Sequence, residues 1–251
     1  MGDVFTKTGP ESALPMFEAE AEGLTELRSA RAIRVPDVVD VGAIDGQSFI
    51  SLERLVFGQP TIEIERILGR QLAELHRHTQ TQFGWHRDNT IGLTPQRNDR
   101  SSDWIDFFRQ YRLQFQLELA KVNSFGGELT DLGAQLCEHL DKLFDNYEPA
   151  ASLLHGDLWG GNWGSVKGEP VIFDPAVYYG DRESDIAMTR LFGGFGNAFY
   201  TAYESSWPMQ SGHGPRLRLY QLYHVLNHLN LFGRGYRNQA MQLLRELTDV
   251  I

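Results

Sequence analysis

Apolar positions along this chain follow two different periods, and the places where one gives way to the other outline the fold. "DVFTKT" (3–8) alternates as a short strand, with Val4 and Thr6 on one face and Phe5 and Lys7 on the other. Residues 14–30 switch to helical spacing, with Met16, Ala19/Glu20, Gly23/Leu24 and Leu27 along one stripe. Two strands around an Ile-Asp-Gly turn are predicted over 36–55. A strongly amphipathic helix follows over 61–80, through Ile64, Ile67, Leu68, Leu72 and Leu75. Residues 83–101 are polar and punctuated by Gly and Pro, and a loop of that length suggests a functional one. Helical spacing then predicts helices over 103–122, 128–147 and 214–249, the last broken at "GRGY". Strand character returns only in mid-chain, at 151–155, 162–166 and 170–174. This order predicts an α+β fold of two lobes. A small strand-and-helix lobe would span 1–56 and a mainly helical lobe 57–251, with "SLERLVFG" (51–58) as the joint.

Composition narrows the function classes. With 251 residues the chain can bury a full core, and a net charge of −10 disfavours a nonspecific binder of nucleic acid or anionic membrane. Its single cysteine, Cys137, excludes an internal disulfide and suggests a cytoplasmic protein. No basic-then-apolar leader and no apolar window long enough for a membrane span are visible.

The chemistry concentrates in "LLHGDLWGGNWG" (153–164), where an apolar run stops at His155, Gly156 and Asp157, and Asn162 follows five residues after the acid. Phosphoryl transfer needs a carboxylate for the proton of the attacking hydroxyl, oxygen ligands for Mg²⁺, and a cation on the nonreacting phosphates. The spacing supplies Asp157 as the base and Asn162 as a metal ligand on one rigid turn. Asp174, in "VIFDP" at the end of a returning strand, offers the second oxygen ligand. Lys7, on the first strand, is the candidate cation, and an acid of the following helix would hold it. Glu18 and Glu22 compete for that place, but Glu20 lies on the apolar stripe, four residues before Leu24.

These residues, with "MFEAEAEGLTEL", "FGWHRDNTIGLTPQRN", "DWIDFFRQYRLQFQLELA" and "FDPAVYYGDRESDIAMTRLFGGF", resemble the fructosamine kinase (ketosamine kinase) family over most of the chain. The resemblance implies a protein-kinase-like fold related to aminoglycoside and choline kinases, with ATP and Mg²⁺ as cofactors. It implies that Lys7 contacts the α- and β-phosphates, that Glu20 holds Lys7, and that the backbone of Glu53, Arg54 and Leu55 faces the adenine. His155 and Asp185 would brace the catalytic turn, although Asp185 also reads as an N-cap for "IAMTRLF". The implied reaction phosphorylates a sugar hydroxyl of a ketosamine, free or on a protein lysine, and the unstable product sheds the sugar. Trp159 would form part of the sugar's wall, while a structural tryptophan is an equal reading of the sequence. Family members carry a Gly-rich phosphate-covering hairpin before the lysine strand. The expectation here is an N-terminally truncated small lobe, a monomer with some tendency to self-associate through an open sheet edge, and lower activity than a longer chain.

Other signals carry less. Only ten residues separate Asp174 from Asp185, too few for a protein kinase's activation loop, which favours a small-molecule acceptor. A kinase for another small acceptor, or a binding module without a nucleotide lid, are the competing readings. "GGFGNAF" (193–199) follows a helix rather than a strand and so is not a dinucleotide fingerprint. His224 and His228 sit one helical turn apart without a third ligand, His76 and His78 lack metal spacing, and the aromatic stripe of 104–115 reads as core with a share in the acceptor pocket.

Overall fold

A computed structural model describes residues 3–251. Three antiparallel strands, β1 (Val4–Pro10), β2 (Val38–Ile44) and β3 (Gln47–Glu53), form a sheet in the order β1-β3-β2. The hairpin between β2 and β3 turns at Asp45 and Gly46, with φ of 53° and 78°, the left-handed pair that matches the twist of a two-residue hairpin. Helix α1 (Leu14–Ser29) lies against this sheet and buries Phe17, Leu24 and Leu27. β1 is an edge strand, and its register sets Lys7 opposite Ile50.

Past the joint, Thr61 caps α2 (Ile62–His76) by accepting the Ile64 N–H at 3.3 Å. The predicted helix ends earlier than expected, because β4 (Thr79–Gln80) leaves it to pair with β7 (Ala151–Leu154). The 83–101 loop contains a small hairpin, β5 (Asn89–Ile91) with β6 (Thr94–Gln96). The helix predicted over 103–122 is observed as α3 (Trp104–Phe108), a π-helical turn (Arg109–Gln114) and α4 (Phe115–Val122). That over 128–147 is α5 (Glu128–Glu138) with a short 3₁₀ turn behind it.

The mid-chain strands are present. β7 pairs with β10 (Tyr178–Gly180), and β8 (Trp163–Val166) forms a hairpin with β9 (Glu169–Ile172). Helices α6 (Glu183–Leu191), α7 (Asn197–Ser206), α8 (His213–Phe232) and α9 (Arg237–Thr248) complete the chain. α7, which packs on α2, was hidden by the glycines before it; the break before α9 falls at Gly233, φ 88°. Cys137 is buried on α5. His228 Nδ1 donates to the His224 carbonyl, and no group of three or more His, Cys, Asp or Glu side chains placed to hold a metal occurs among the described residues. No described helix is long and apolar enough to cross a membrane.

Candidate active site

β7 is buried along its whole length and stops at His155, where the chain turns sharply under the small sheet. Gly156 makes that turn possible: its φ is 83°, and a Cβ there would lie 2.0 Å from the Ala176 carbonyl oxygen. The buried His155 ring ties two segments together. Nε2 donates to the Phe173 carbonyl at 3.0 Å, and Nδ1 accepts the Asp157 N–H at 3.3 Å. Burial holds this imidazole below its ordinary pKa, so it is neutral, as that bonding pattern requires.

Asp185 approaches the same turn from the first turn of α6, inside the helix rather than at its cap. One carboxylate oxygen accepts the His155 N–H at 2.8 Å and the other the Gly156 N–H at 2.9 Å. His76 from α2 adds a bond at 3.2 Å, and its other ring nitrogen meets the Tyr203 hydroxyl at 2.8 Å. A carboxylate only accepts, so His76 Nε2 carries the hydrogen and Nδ1 accepts from Tyr203. Burial would raise the Asp185 pKa, but the bond from His76, with the His155 and Gly156 N–H groups, holds it below the usual value.

Asp157 is placed differently. Its carboxyl lines a cavity of about 330 Å³, and burial, followed by the charges of Asp185 and Asp174, pushes its pKa up to about 7. Asn162 Nδ2 donates to the Asp157 carbonyl at 2.9 Å, to its carboxylate at 3.3 Å and to the Asp174 carbonyl at 3.4 Å. That bonding turns the Asn162 oxygen away from the three acceptors its amide nitrogen serves. Asp174 has φ 56°, a left-handed conformation that Asp tolerates better than most residues. Its Oδ1 meets Lys7 Nζ at 2.6 Å, and the same ammonium reaches Glu20 at 2.7 Å. Burial alone would lower the Lys7 pKa, but Glu20 and Asp174 outweigh it and keep Lys7 charged; burial raises that of Glu20 against the pull of Lys7.

Of the three candidate acids on α1, Glu20 alone reaches Lys7. Glu22 instead accepts from His86 at 2.8 Å and Arg87 at 2.6 Å, and Glu18 lies 3.9 Å from Arg87. A second cavity, of about 230 Å³, shares Lys7 and Asp174 with the first and is lined by Glu53, Arg54 and Leu55 together with Phe5, Leu52, Phe57 and Phe173. The Glu53 side chain pairs with Arg34 at 2.5 Å, and the Arg54 N–H donates to the Asp3 carbonyl at 3.1 Å. The Leu55 N–H has no partner among the described residues. Sequence reasoning missed the aromatic lining of this slot. Phe57 and Phe173, with rings 5.3 Å apart, come from the joint and from the residue before Asp174, and their adjacency to those landmarks was the available signal.

Trp159 is 41% exposed and lines the first cavity, whose far wall is Met16 and the β5–β6 hairpin through Asn89, Thr90, Gly92 and Leu93. The arrangement is two adjoining cavities, one slot-like and apolar and one carrying the carboxylates, with a lysine and an aspartate between them. That is a site for moving a charged group from a flat aromatic ligand to a polar one. The fold is shared with an aminoglycoside phosphotransferase crystallised with ADP and hygromycin B, which superposes with a TM-score of 0.62 over 98% of this chain and 86% of its own, at 15% identity.

The chain belongs to the fructosamine kinase family, which it matches over residues 1–249. It is 45% identical over 244 residues to a probable ketoamine kinase of Synechocystis, covering 96% of this chain and 82% of that one. It is 44% identical over 247 residues to the chloroplastic protein-ribulosamine 3-kinase of Arabidopsis thaliana, covering 97% and 75%. The crystal structure of a Haemophilus somnus protein assigned as a fructosamine-3-kinase superposes with a TM-score of 0.91 at 32% identity, covering 98% of this chain and 84% of that one.

Proposed function

We propose that this protein is an ATP-dependent kinase that phosphorylates a sugar hydroxyl of ketosamines, with Asp157 as the general base. The observation that carries the chemistry is the placement of the Asp157 carboxyl in one cavity with Lys7, Asn162 and Asp174. Adenine would lie in the apolar slot lined by Phe5, Phe57 and Phe173, with the Leu55 N–H as donor to a ring nitrogen. Lys7 would hold the α- and β-phosphates, and Glu20 would fix Lys7 as a placed charge.

The donor set fits Mg²⁺. The Asn162 oxygen and the second Asp174 oxygen are hard, unblocked ligands, and two protein oxygens leave room for phosphates and water. When bound, the ion neutralises charge that develops on the phosphates. Asp157 accepts the proton of the acceptor hydroxyl as its oxygen bonds to the γ-phosphorus and the bond to the bridging oxygen of ADP breaks. Burial makes this carboxylate a stronger proton acceptor than one in water. His155 and Asp185 act through the backbone, holding Asp157 in position. Trp159 presents a ring face to the sugar.

The acceptor class rests on family membership and the relatives' names, since aminoglycoside kinases share the catalytic turn. Retention of Lys7, Asp157, Asn162 and Asp174 in one connected geometry speaks against a binding module that has lost its chemistry. The test is transfer of labelled γ-phosphate from ATP to ribulosyl-lysine and fructosyl-lysine, with kanamycin and choline as controls. Label on a ketosamine and on neither control is expected; transfer to a control alone would overturn the acceptor assignment, and none to any would overturn the activity.

A further inference from the structure

Arg112 is an unusual buried residue. It is 0% exposed, lies in the π-helical turn between α3 and α4, and has no carboxylate partner among the described residues. Its guanidinium carbon sits 4.1 Å from the Tyr178 ring centroid and 4.8 Å from that of Phe107, and Nε has no hydrogen-bond partner. Burying a cation without a counter-charge is expensive, and π turns inside helices recur at functional sites. The hydrogen bonds Arg112 does make show what it accomplishes.

Arg112 donates to the Asn98 side-chain oxygen at 2.7 Å and to the Arg97 carbonyl at 2.6 Å. A guanidinium can only donate, so the Asn98 carboxamide must turn its oxygen toward Arg112 and its NH₂ the other way. That NH₂ donates to the Asn89 side-chain oxygen at 2.9 Å and to the Arg87 carbonyl at 3.1 Å. The Asn89 oxygen also accepts from Gln96 Nε2 at 2.8 Å. Gln96 is fixed in turn, since it donates to the Ala176 carbonyl at 3.1 Å and accepts from the Tyr223 hydroxyl at 2.8 Å. With its oxygen saturated, Asn89 can present only its NH₂ outward. One of those hydrogens goes to the Val177 carbonyl at 2.8 Å, and the second has no partner among the described residues. Asn89 lines the cavity that holds Asp157 and Trp159.

We propose that Asn89 is an acceptor-contacting specificity residue, donating its remaining amide hydrogen to an oxygen of the sugar, and that Arg112 is a positioning residue that steadies this donor through Asn98. The relay also bonds the β5–β6 hairpin to the carbonyls of Ala176 and Val177, two and three residues past Asp174, so acceptor wall and catalytic residues share one frame. The Val177 carbonyl and Gln96 hold Asn89 in the same sense, so losing the cation loosens this donor rather than reversing it. The proposal rests on the kinase reading above for the identity of the acceptor.

The test is steady-state kinetics of Asn89→Ala, Asn89→Asp and Arg112→Met with ribulosyl- and fructosyl-lysine, varying ATP and acceptor separately. Loss of one hydrogen bond to a neutral sugar oxygen raises the acceptor KM about 3- to 15-fold while the ATP KM stays within twofold. Asn89→Asp, which keeps the shape and removes the donor, does the same, and the preference between the two acceptors shifts in all three. An unchanged acceptor KM in both Asn89 variants, or an equal rise in the ATP KM, would overturn the proposal. Side-chain amide hydrogen exchange reads the relay without turnover. Wild type should show one protected and one exposed Asn89 amide proton, and Arg112→Met should exchange the protected one faster. Two equally exposed protons in wild type would overturn the relay whatever the acceptor proves to be. Wild type inactive on both ketosamines would instead overturn the kinase reading, a result that leaves the exchange pattern to stand or fall alone. Because Arg112→Met removes a buried group and could unfold the chain, Asn98→Leu, which cuts the relay at its middle, serves as the second variant.

Discussion

The two cavities that meet at Lys7 and Asp174 are built on different principles. The slot at the joint is apolar and shallow in its demands: aromatic rings from three segments, a backbone N–H, and an ion pair at its inner end. The neighbouring cavity has a wall whose key groups are neutral amides, each held in orientation by another and finally by a buried arginine. Charged groups choose partners by sign and reach, so a lysine on a strand and a glutamate on the facing helix find each other with modest help. Amides have no such preference, and their direction has to be imposed through a chain of neighbours. The slot therefore suits a ligand common to many enzymes, and the amide-lined wall suits discrimination between similar sugars.

The same contrast decided what the sequence revealed. The convergence of Lys7, Glu20, Asp157, Asn162 and Asp174 was readable because each carries an ionisable or amide group at the end of a strand, in the turn after it or on a helical stripe, at spacings that phosphoryl transfer would require. The strand and helix pattern was also readable wherever one face is buried, as in α1, α2 and the β2–β3 hairpin. Asn89, Gln96, Asn98 and Arg112 stand in a polar loop and an aromatic helix, where periodicity says nothing about which amide faces which. The π turn at Arg109–Gln114 has no signature in hydrophobic period, and α7 was masked by glycines that its own aromatics outweigh in packing against α2. The bond from His76 to Asp185 joins residues 109 positions apart, and only the fold makes them neighbours.

The contrast can be broken by substitution. Lys7→Met should lower kcat/KM by about 10²–10³, the usual effect of losing one placed charge at the nucleotide phosphates, and leave the acceptor KM within twofold. A comparable rise in the acceptor KM, seen in the same steady-state assay, would show that the two cavities are not separable. Phe57→Ala should raise the ATP KM about 2- to 10-fold through lost ring packing, with kcat little changed, and nucleotide titration by calorimetry checks it.

A smaller effect concerns stability. His224 is buried on α8 with Nδ1 unpartnered, and burial, aided by the His228 charge, lowers its pKa to about 3. The unfolded chain titrates that histidine near 6.5 and therefore binds more protons than the folded one between the two values. Its contribution is lost as pH falls below about 6.5, by about 2 kcal/mol at pH 5. Asp181, raised to about 6 chiefly by burial, acts in the opposite direction, so the wild-type profile alone does not isolate it. The difference between wild type and His224→Leu should: the variant gains relative stability from pH 7 to pH 5 in denaturant melts, and a constant difference would contradict a neutral buried imidazole.

The central claim is that Asp157 is a base held at high energy by its surroundings, and Asp157→Asn tests it with two readouts on one protein. Turnover should fall about 10²–10⁴-fold. The nucleotide-free variant should at the same time melt higher than wild type at pH 8. The sign follows from the folded pKa of about 7 against a reference of 3.8: the wild-type carboxyl loses stability as pH rises through that interval, and the amide does not. The gain should be about 4 kcal/mol at pH 8 and shrink toward pH 4. Lost turnover with a higher melting temperature at pH 8 is the predicted result. Unchanged turnover, or lost turnover with a lower melting temperature at every pH, would contradict it.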